Sequence, residues 1–199
     1  KPRLIIGGAG SGSGKTSVSK MLEKLGVHII DTDVIAHEIV EPNSDCLNEL
    51  VDYFGDSILN DDKTLNRKKL ASIAFSDKQK TEALSNITHK YIKAEVVKDI
   101  NTTDAELVGV DGAVIIGSNV EPLCEFIVSV IADKQSRITR IKTRDNITDE
   151  QAIQRINAQN DDEFYKENSM YIIYNNGDIA QLESDVVGLF NKIKGNSFE

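Results

Sequence analysis

Short apolar runs alternate along the chain with stretches whose apolar residues recur at three- and four-residue spacing. A brief apolar run between turn formers suits a strand buried on both faces, whereas the wider spacing gives a helix one apolar face. Leu4-Ile5-Ile6, followed at once by glycines, predicts a first strand. Over residues 17–25, Val18, Met21, Leu22 and Leu25 fall on one helical face, and Gly26 is placed to end that helix. Residues 27–30 predict a second strand running into Asp31-Thr32-Asp33. Residues 34–40 read as a helix closed by Pro42. Leu47, Leu50, Val51 and Phe54 mark another, stopped by Gly55.

From 56 to 103 the pattern changes. Lys, Asn and Asp are frequent, and Leu70, Ile73 and Ala74, then Leu84, Ile87, Tyr91 and Ala94, recur at helical spacing. This predicts a helical insertion, leaving 1–55 and 104–199 as the core. Leu107-Val108-Gly109-Val110 predicts a third strand ending at Asp111, residues 126–132 a fourth and 170–174 a fifth. Residues 138–142 read as helical, Thr148-Asp149-Glu150-Gln151 fits a capping box, and Leu182, Val186, Leu189, Phe190 and Ile193 shape a final amphipathic helix. Strands alternating with helices imply an α/β fold, a mainly parallel five-stranded sheet covered on both faces. Ligands in such folds bind beyond the carboxyl ends of the strands. Residues 7–16, 31–33 and 111, which carry the chemistry, all fall at such ends.

Charge changes the picture modestly. The 199 residues hold 23 Lys+Arg and 32 Asp+Glu, a net −9, which disfavours a nucleic-acid or anionic-membrane partner needing a cationic face. No apolar run approaches the ~20 residues of a membrane span, and the apolar run near the start is too short for a signal peptide. Cys46 and Cys124 lie far apart with no metal-ligand spacing and read as reduced thiols of the cytoplasm.

The sharpest motif is Gly7-Gly8-Ala9-Gly10-Ser11-Gly12-Ser13-Gly14-Lys15-Thr16, with Ser17 next, set between a strand and a helix. It follows the phosphate-loop pattern, Ala9 standing at the first glycine. Glycines let successive backbone N–H groups turn toward an anion, and the helix adds its unpaired donors. Lys15 brings a charge to the terminal phosphates of a nucleotide, and the Thr16 hydroxyl suits Mg²⁺. A GTPase would show an Asn-Lys-x-Asp guanine reader, which is absent. Asp31 and Asp33 follow the second strand, where a carboxylate can accept the proton of an attacking hydroxyl. One of them, with Asp33 a candidate, is expected to cap the helix opening near Val34. His37 reads as a surface or packing residue. Among the cations of 134–144, Arg140 and Arg144 share a helix face and suit the γ-phosphate, whereas Arg137 and Lys142 read as solvated surface.

The chain resembles the dephospho-coenzyme A kinase family over nearly its whole length. The likeness takes in the loop through Thr16, Ile30-Asp31-Thr32-Asp33-Val34-Ile35-Ala36-His37, Leu65-Asn66-Arg67, Phe75-Ser76-Asp77, Ile87-Thr88-His89, Arg144-Asp145, Arg155 with Gln159, and Asn175-Asn176-Gly177. It implies a P-loop kinase fold with a helical acceptor-binding insertion and a helical lid over about 134–168. It also implies ATP·Mg²⁺-dependent phosphorylation of the ribose 3′-hydroxyl of dephospho-coenzyme A by a cytoplasmic monomer. In that family the second Asp of Asp-x-Asp is the proposed base, here Asp33, and arginines of the lid act on the phosphates, here Arg140 and Arg144. Arg67, His89 and Asp111 fall at acceptor-side positions, and Asn176 and Gly177 near the adenine. The family's Asp-x-Pro-Leu-Leu-Phe-Glu stands here as Asp111-Gly112-Ala113-Val114-Ile115-Ile116-Gly117, without the Pro and the Glu. The alternatives are a uridine-kinase-like nucleoside kinase, which shares the loop, and a nucleotide-binding regulatory protein that has lost its acceptor site.

Overall fold

The computed structural model describes residues 3–8, 10–112 and 115–196; Ala9 of the loop, and Ala113 and Val114 of the altered segment, lie outside the described residues. Along the chain the elements are β1 (Arg3–Gly8), α1 (Lys15–Lys24), β2 (His28–Asp31), α2 (Thr32–Glu38), α3 (Asp45–Phe54), α4 (Arg67–Ala74), α5 (Lys78–Thr102), β3 (Val108–Asp111), β4 (Phe126–Ile131), α6 (Lys134–Asp145), α7 (Asp149–Asn157), α8 (Asp162–Asn168), β5 (Tyr171–Tyr174) and α9 (Ile179–Asn196). They divide into two compact units, 1–30 with 103–199, and 31–102.

In the first unit the strands take the order β2-β3-β1-β4-β5. β1 runs parallel to β3, with Ile5 opposite Val110, and to β4, with Ile6 opposite Val128; β4 runs parallel to β5, with Val130 opposite Ile173. The His28 N–H donates to Leu107 O at 3.0 Å on the β2 side. Parallel neighbours need crossover connections, and these carry the helices. Val18 and Leu22 of α1, Val128 and Val130 of β4, Ile173 of β5, and Leu182, Val186, Leu189 and Ile193 of α9 form one core cluster. Ile131 of β4, of opposite parity to Val128 and Val130, packs instead with Tyr165 of α8. Helices α6 and α7 enclose a small core of their own, Ile138, Ile141, Ala152 and Ile156.

In the second unit α2, α3 and α4 each pack on α5. The two apolar stretches of the sequence fall in separate helices, Leu70, Ile73 and Ala74 in α4 and Leu84, Ile87, Tyr91 and Ala94 in α5, which runs for 25 residues. Cys46, Leu47, Leu50, Leu70, Ala74, Val96 and Ile100 are buried. The unit opens at Asp31 rather than at 56, where the sequence places its insertion, because α2 and α3 also rest on α5. Neither Cys46 nor Cys124 is in a disulfide. Burial, followed by the charge of Glu49, pushes the Cys46 thiol up to about 11.

Candidate active site

The phosphate loop alternates left-handed glycines with other residues: Gly10 at φ 78°, Gly12 at 78° and Gly14 at 96°. That alternation is the geometry of an anion nest. The glycines are also needed for space. A Cβ on Gly12 would stand 2.7 Å from Arg137 O, and one on Gly14 2.0 Å from Asn175 Nδ2. α1 opens on Gly14 without a side-chain cap, unlike α2, α3, α4, α6, α7 and α8, so its first N–H groups remain for a ligand. Ser13 is 1% exposed, and its hydroxyl has no hydrogen-bond partner among the described residues. A buried partnerless hydroxyl in the middle of the loop fits a cradle completed by an anion.

Lys15 extends to the end of β3. Its Nζ lies 2.8 Å from Asp111 Oδ1 and donates to Gly112 O at 3.0 Å. The Ser19 hydroxyl, one helical turn beyond Lys15 on α1, donates to Asp111 Oδ2 at 3.0 Å. Asp111, placed on the acceptor side by resemblance, is therefore seen as the partner of the loop lysine. Thr16 and Ser17 lie exposed in the first turn of α1.

The outer side of the loop is held by side chains. Arg137 Nε donates to Ser11 O at 3.0 Å and its Nη2 to Gln159 Oε1 at 3.2 Å. Gln159 Oε1 accepts the Ser11 N–H at 2.9 Å, and its Nε2 donates to Ser11 Oγ at 3.0 Å. Arg140 donates to Gly12 O at 2.9 Å and to Asn175 O at 3.0 Å, and Asn175 Nδ2 donates to Ser13 O at 3.0 Å. The expectation that Arg137 is solvated surface is overturned, for it is only 4% exposed. Helix α6 turns that side of itself to the loop when Ile138 and Ile141 enter the α6–α7 core. Burial weakens the hold of Arg137 on its proton, an effect that the charge of Asp162 opposes.

Arg140 and Arg144 diverge. Arg144 forks onto Asp145, Nε to Oδ1 at 2.9 Å and Nη2 to Oδ2 at 3.0 Å, and among the described hydrogen bonds none joins it to the loop. Arg155 of α7 also donates to Asp145 Oδ2. The hydrogen bonds from Arg144 and then Arg155 hold the Asp145 carboxyl at about 2. Lys142, half exposed, pairs with Asp149 at 2.6 Å. Asn176 Oδ1 accepts the Asp133 N–H at 2.7 Å at the head of α6, and Gly177 follows it, exposed. Hydrogen bonds from Ser136 lower the Asp133 carboxyl.

In the second unit, Asp31 rather than Asp33 is the cap. Its Oδ1 accepts from Asp33 N at 2.9 Å and Val34 N at 3.1 Å, so α2 starts at Thr32, two residues earlier than expected. Asp33 then sits exposed in the first turn, and His37 in the last. Arg67 opens α4, capped by Asn66, and His89 lies exposed on α5. Ser19, Arg137, Gln159 and Asn175 escaped assignment from sequence. Ser19 could have been found from its i+4 offset to Lys15; the others depend on tertiary packing.

A glycine nest between the first strand and a helix headed by Lys-Thr, in a parallel sheet of this strand order, defines a P-loop kinase fold. The dephospho-CoA kinase family model matches residues 4–181, and the chain belongs to that family. A dephospho-CoA kinase of Listeria monocytogenes is 34% identical over 195 residues, covering 96% of this chain and 98% of its own. One of Lactobacillus johnsonii is 33% identical over 187 residues, covering 92% and 94%. Among solved structures, TT1252 from Thermus thermophilus shares the fold with a TM-score of 0.80 at 23% identity, covering 96% of this chain and 97% of its own. A dephospho-CoA kinase from Campylobacter jejuni shares it at 0.69 and 24% identity, covering 98% of both chains. No helix among the described residues is long and apolar enough to cross a membrane.

Proposed function

We propose that the protein is a kinase that transfers the γ-phosphoryl group of ATP to the ribose 3′-hydroxyl of dephospho-CoA, giving CoA, the last step of CoA biosynthesis. The observation that carries this is the loop itself, glycine-turned and headed by an uncapped helix with Lys15 at its mouth, in a chain of this family. Asp33 receives the proton of the 3′-hydroxyl as its oxygen attacks the γ-phosphorus. The bond from that phosphorus to the β–γ bridging oxygen breaks, and ADP leaves. The N–H groups of 12–17 hold the phosphates, with Gly10 and Ser11 framing the mouth of the loop, and Lys15 exchanges Asp111 for a phosphate oxygen. Arg140 and Arg144 offset charge on the transferring group, Arg144 by leaving Asp145, and Asn176 and Gly177 border the adenine. Arg67 and His89 bind the acceptor.

The Thr16 hydroxyl and the Asp111 carboxylate are hard oxygen donors that fit Mg²⁺. When bound, Mg²⁺ neutralises charge on the phosphates. Helices α6–α8 serve as the lid, and the 31–102 unit, including the predicted insertion, as the acceptor-binding part. Two cysteines outside any disulfide accord with a cytoplasmic enzyme. Membership of the family favours this reading over the uridine-kinase-like and decayed alternatives.

A coupled ADP-release assay with dephospho-CoA, uridine and shikimate as rival acceptors tests it. Turnover is expected with dephospho-CoA, with kcat/KM at least a hundredfold above the others; preference for uridine, or no turnover despite ATP binding, would sink it.

A further inference from the structure

The peptide planes from Gly10 to Gly14 are each tied from outside by a different side chain. The Gly10–Ser11 plane is held through its N–H by Gln159, and the Ser11–Gly12 plane through its carbonyl by Arg137. The Gly12–Ser13 plane is held by Arg140, and the Ser13–Gly14 plane by Asn175. Pinning the Ser11, Gly12 and Ser13 carbonyls outward fixes the N–H groups of those three planes inward, the orientation an anion nest requires, while the Ser11 N–H, spent on Gln159, anchors the entry of the loop.

The first two ties are one assembly. Arg137 and Gln159 bond each other as well as Ser11, and Gly10 makes room for both: a Cβ there would stand 2.0 Å from Gln159 Oε1 and 2.3 Å from Arg137 Nη2. Arg137 makes no ion pair among the described residues, although it is almost wholly buried. Burying a guanidinium without a directly paired carboxylate is costly, and the charge of Asp162 opposes that cost without removing it. That cost is offset if a phosphate anion on the neighbouring loop is its counter-charge.

We propose that Arg137 and Gln159 are positioning residues for phosphoryl transfer. Gripping Ser11 on both sides, they fix the entry of the loop and turn the Gly12 N–H toward the phosphates of ATP, and the Arg137 charge adds to the hold. This rests on reading the loop as the ATP site. The pair acts on the loop and not on the acceptor, and the loop grips ATP before and during transfer. Its removal therefore weakens ATP binding without a matching loss of turnover.

The test is calorimetric titration of ATP into the wild type, Arg137→Ala, Arg137→Lys and Gln159→Ala, with steady-state kinetics and thermal melts on the same preparations. Arg137→Ala is expected to raise the Kd and the KM for ATP by about tenfold to thirtyfold, with kcat within about threefold and the acceptor KM unchanged. Arg137→Lys, which keeps the charge and one donor, recovers part of the loss. Gln159→Ala is expected to raise both constants by about threefold to tenfold. The double Ala variant loses less than the product of the single losses, because both side chains act through Ser11. Gln159 is exposed, so its variant decides the matter should Arg137→Ala fail to fold. ATP constants within twofold of wild type in folded variants, with only the melting temperature lowered, would overturn the inference alone. No ATP binding by the wild type would overturn the functional reading, and this inference with it.

Discussion

Asp31 and Asp33 stand two residues apart and do different work. Asp31 spends an oxygen on two backbone N–H groups of α2, whereas Asp33 is left at the surface of the first turn. Replacing Asp33 with Asn should keep the helix and remove the base. We expect kcat to fall by about 10² to 10⁴ with ATP affinity unchanged, read from single-turnover rates and calorimetry. An unchanged kcat would remove Asp33 from the chemistry. The sequence singles this residue out as the proposed base because a motif fixes its offset from the strand end. It made Arg137 illegible because Lys134, Arg137, Arg140, Lys142 and Arg144 look alike in a string of cations. Which of them meets the loop is decided when Ile138 and Ile141 are buried, and that is a tertiary event.

At the scale of elements, the α6–α7 pair carries its own core and its own electrostatic joint. Asp145 at the end of α6 is bonded by Arg144 and by Arg155 of α7. Its carboxyl is lowered from 3.8 to about 2, so the contribution of this joint to stability is complete above 3.8 and is lost as pH falls toward 2. An NMR titration should place the native midpoint at about 2, and Arg155→Ala should move it up toward 3.8. A native midpoint at 3.8 would deny the joint. The same pair opens α7 with a reciprocal cap: Thr148 Oγ1 accepts the Gln151 N–H at 3.2 Å, and Gln151 Oε1 accepts the Thr148 N–H at 3.0 Å. Thr148→Ala should cost about 1 kcal/mol in urea unfolding. This box was readable from four residues, as were the apolar runs at β1, β3, β4 and β5. The onset of α2 was not, since Asp31 and Asp33 are equally good caps on paper.

For the whole molecule, the net charge of −9 gave the wrong impression of the site. The loop is ringed by Lys15, Arg137 and Arg140, cations drawn from segments 122 residues apart and gathered only by folding. The family was legible because its motifs run the length of the chain. The outer shell of the loop was not, because Gln159 and Asn175 reach Ser11 and Ser13 across more than 140 residues of sequence. The central claim is the identity of the phosphorylated atom. Phosphorus NMR of the product formed from ATP and dephospho-CoA tests it most directly. We predict one new monophosphate ester, coupled to the ribose H3′ and formed in equal amount to ADP. A phosphate on the 2′-oxygen, or ADP accompanied only by inorganic phosphate, would contradict the account.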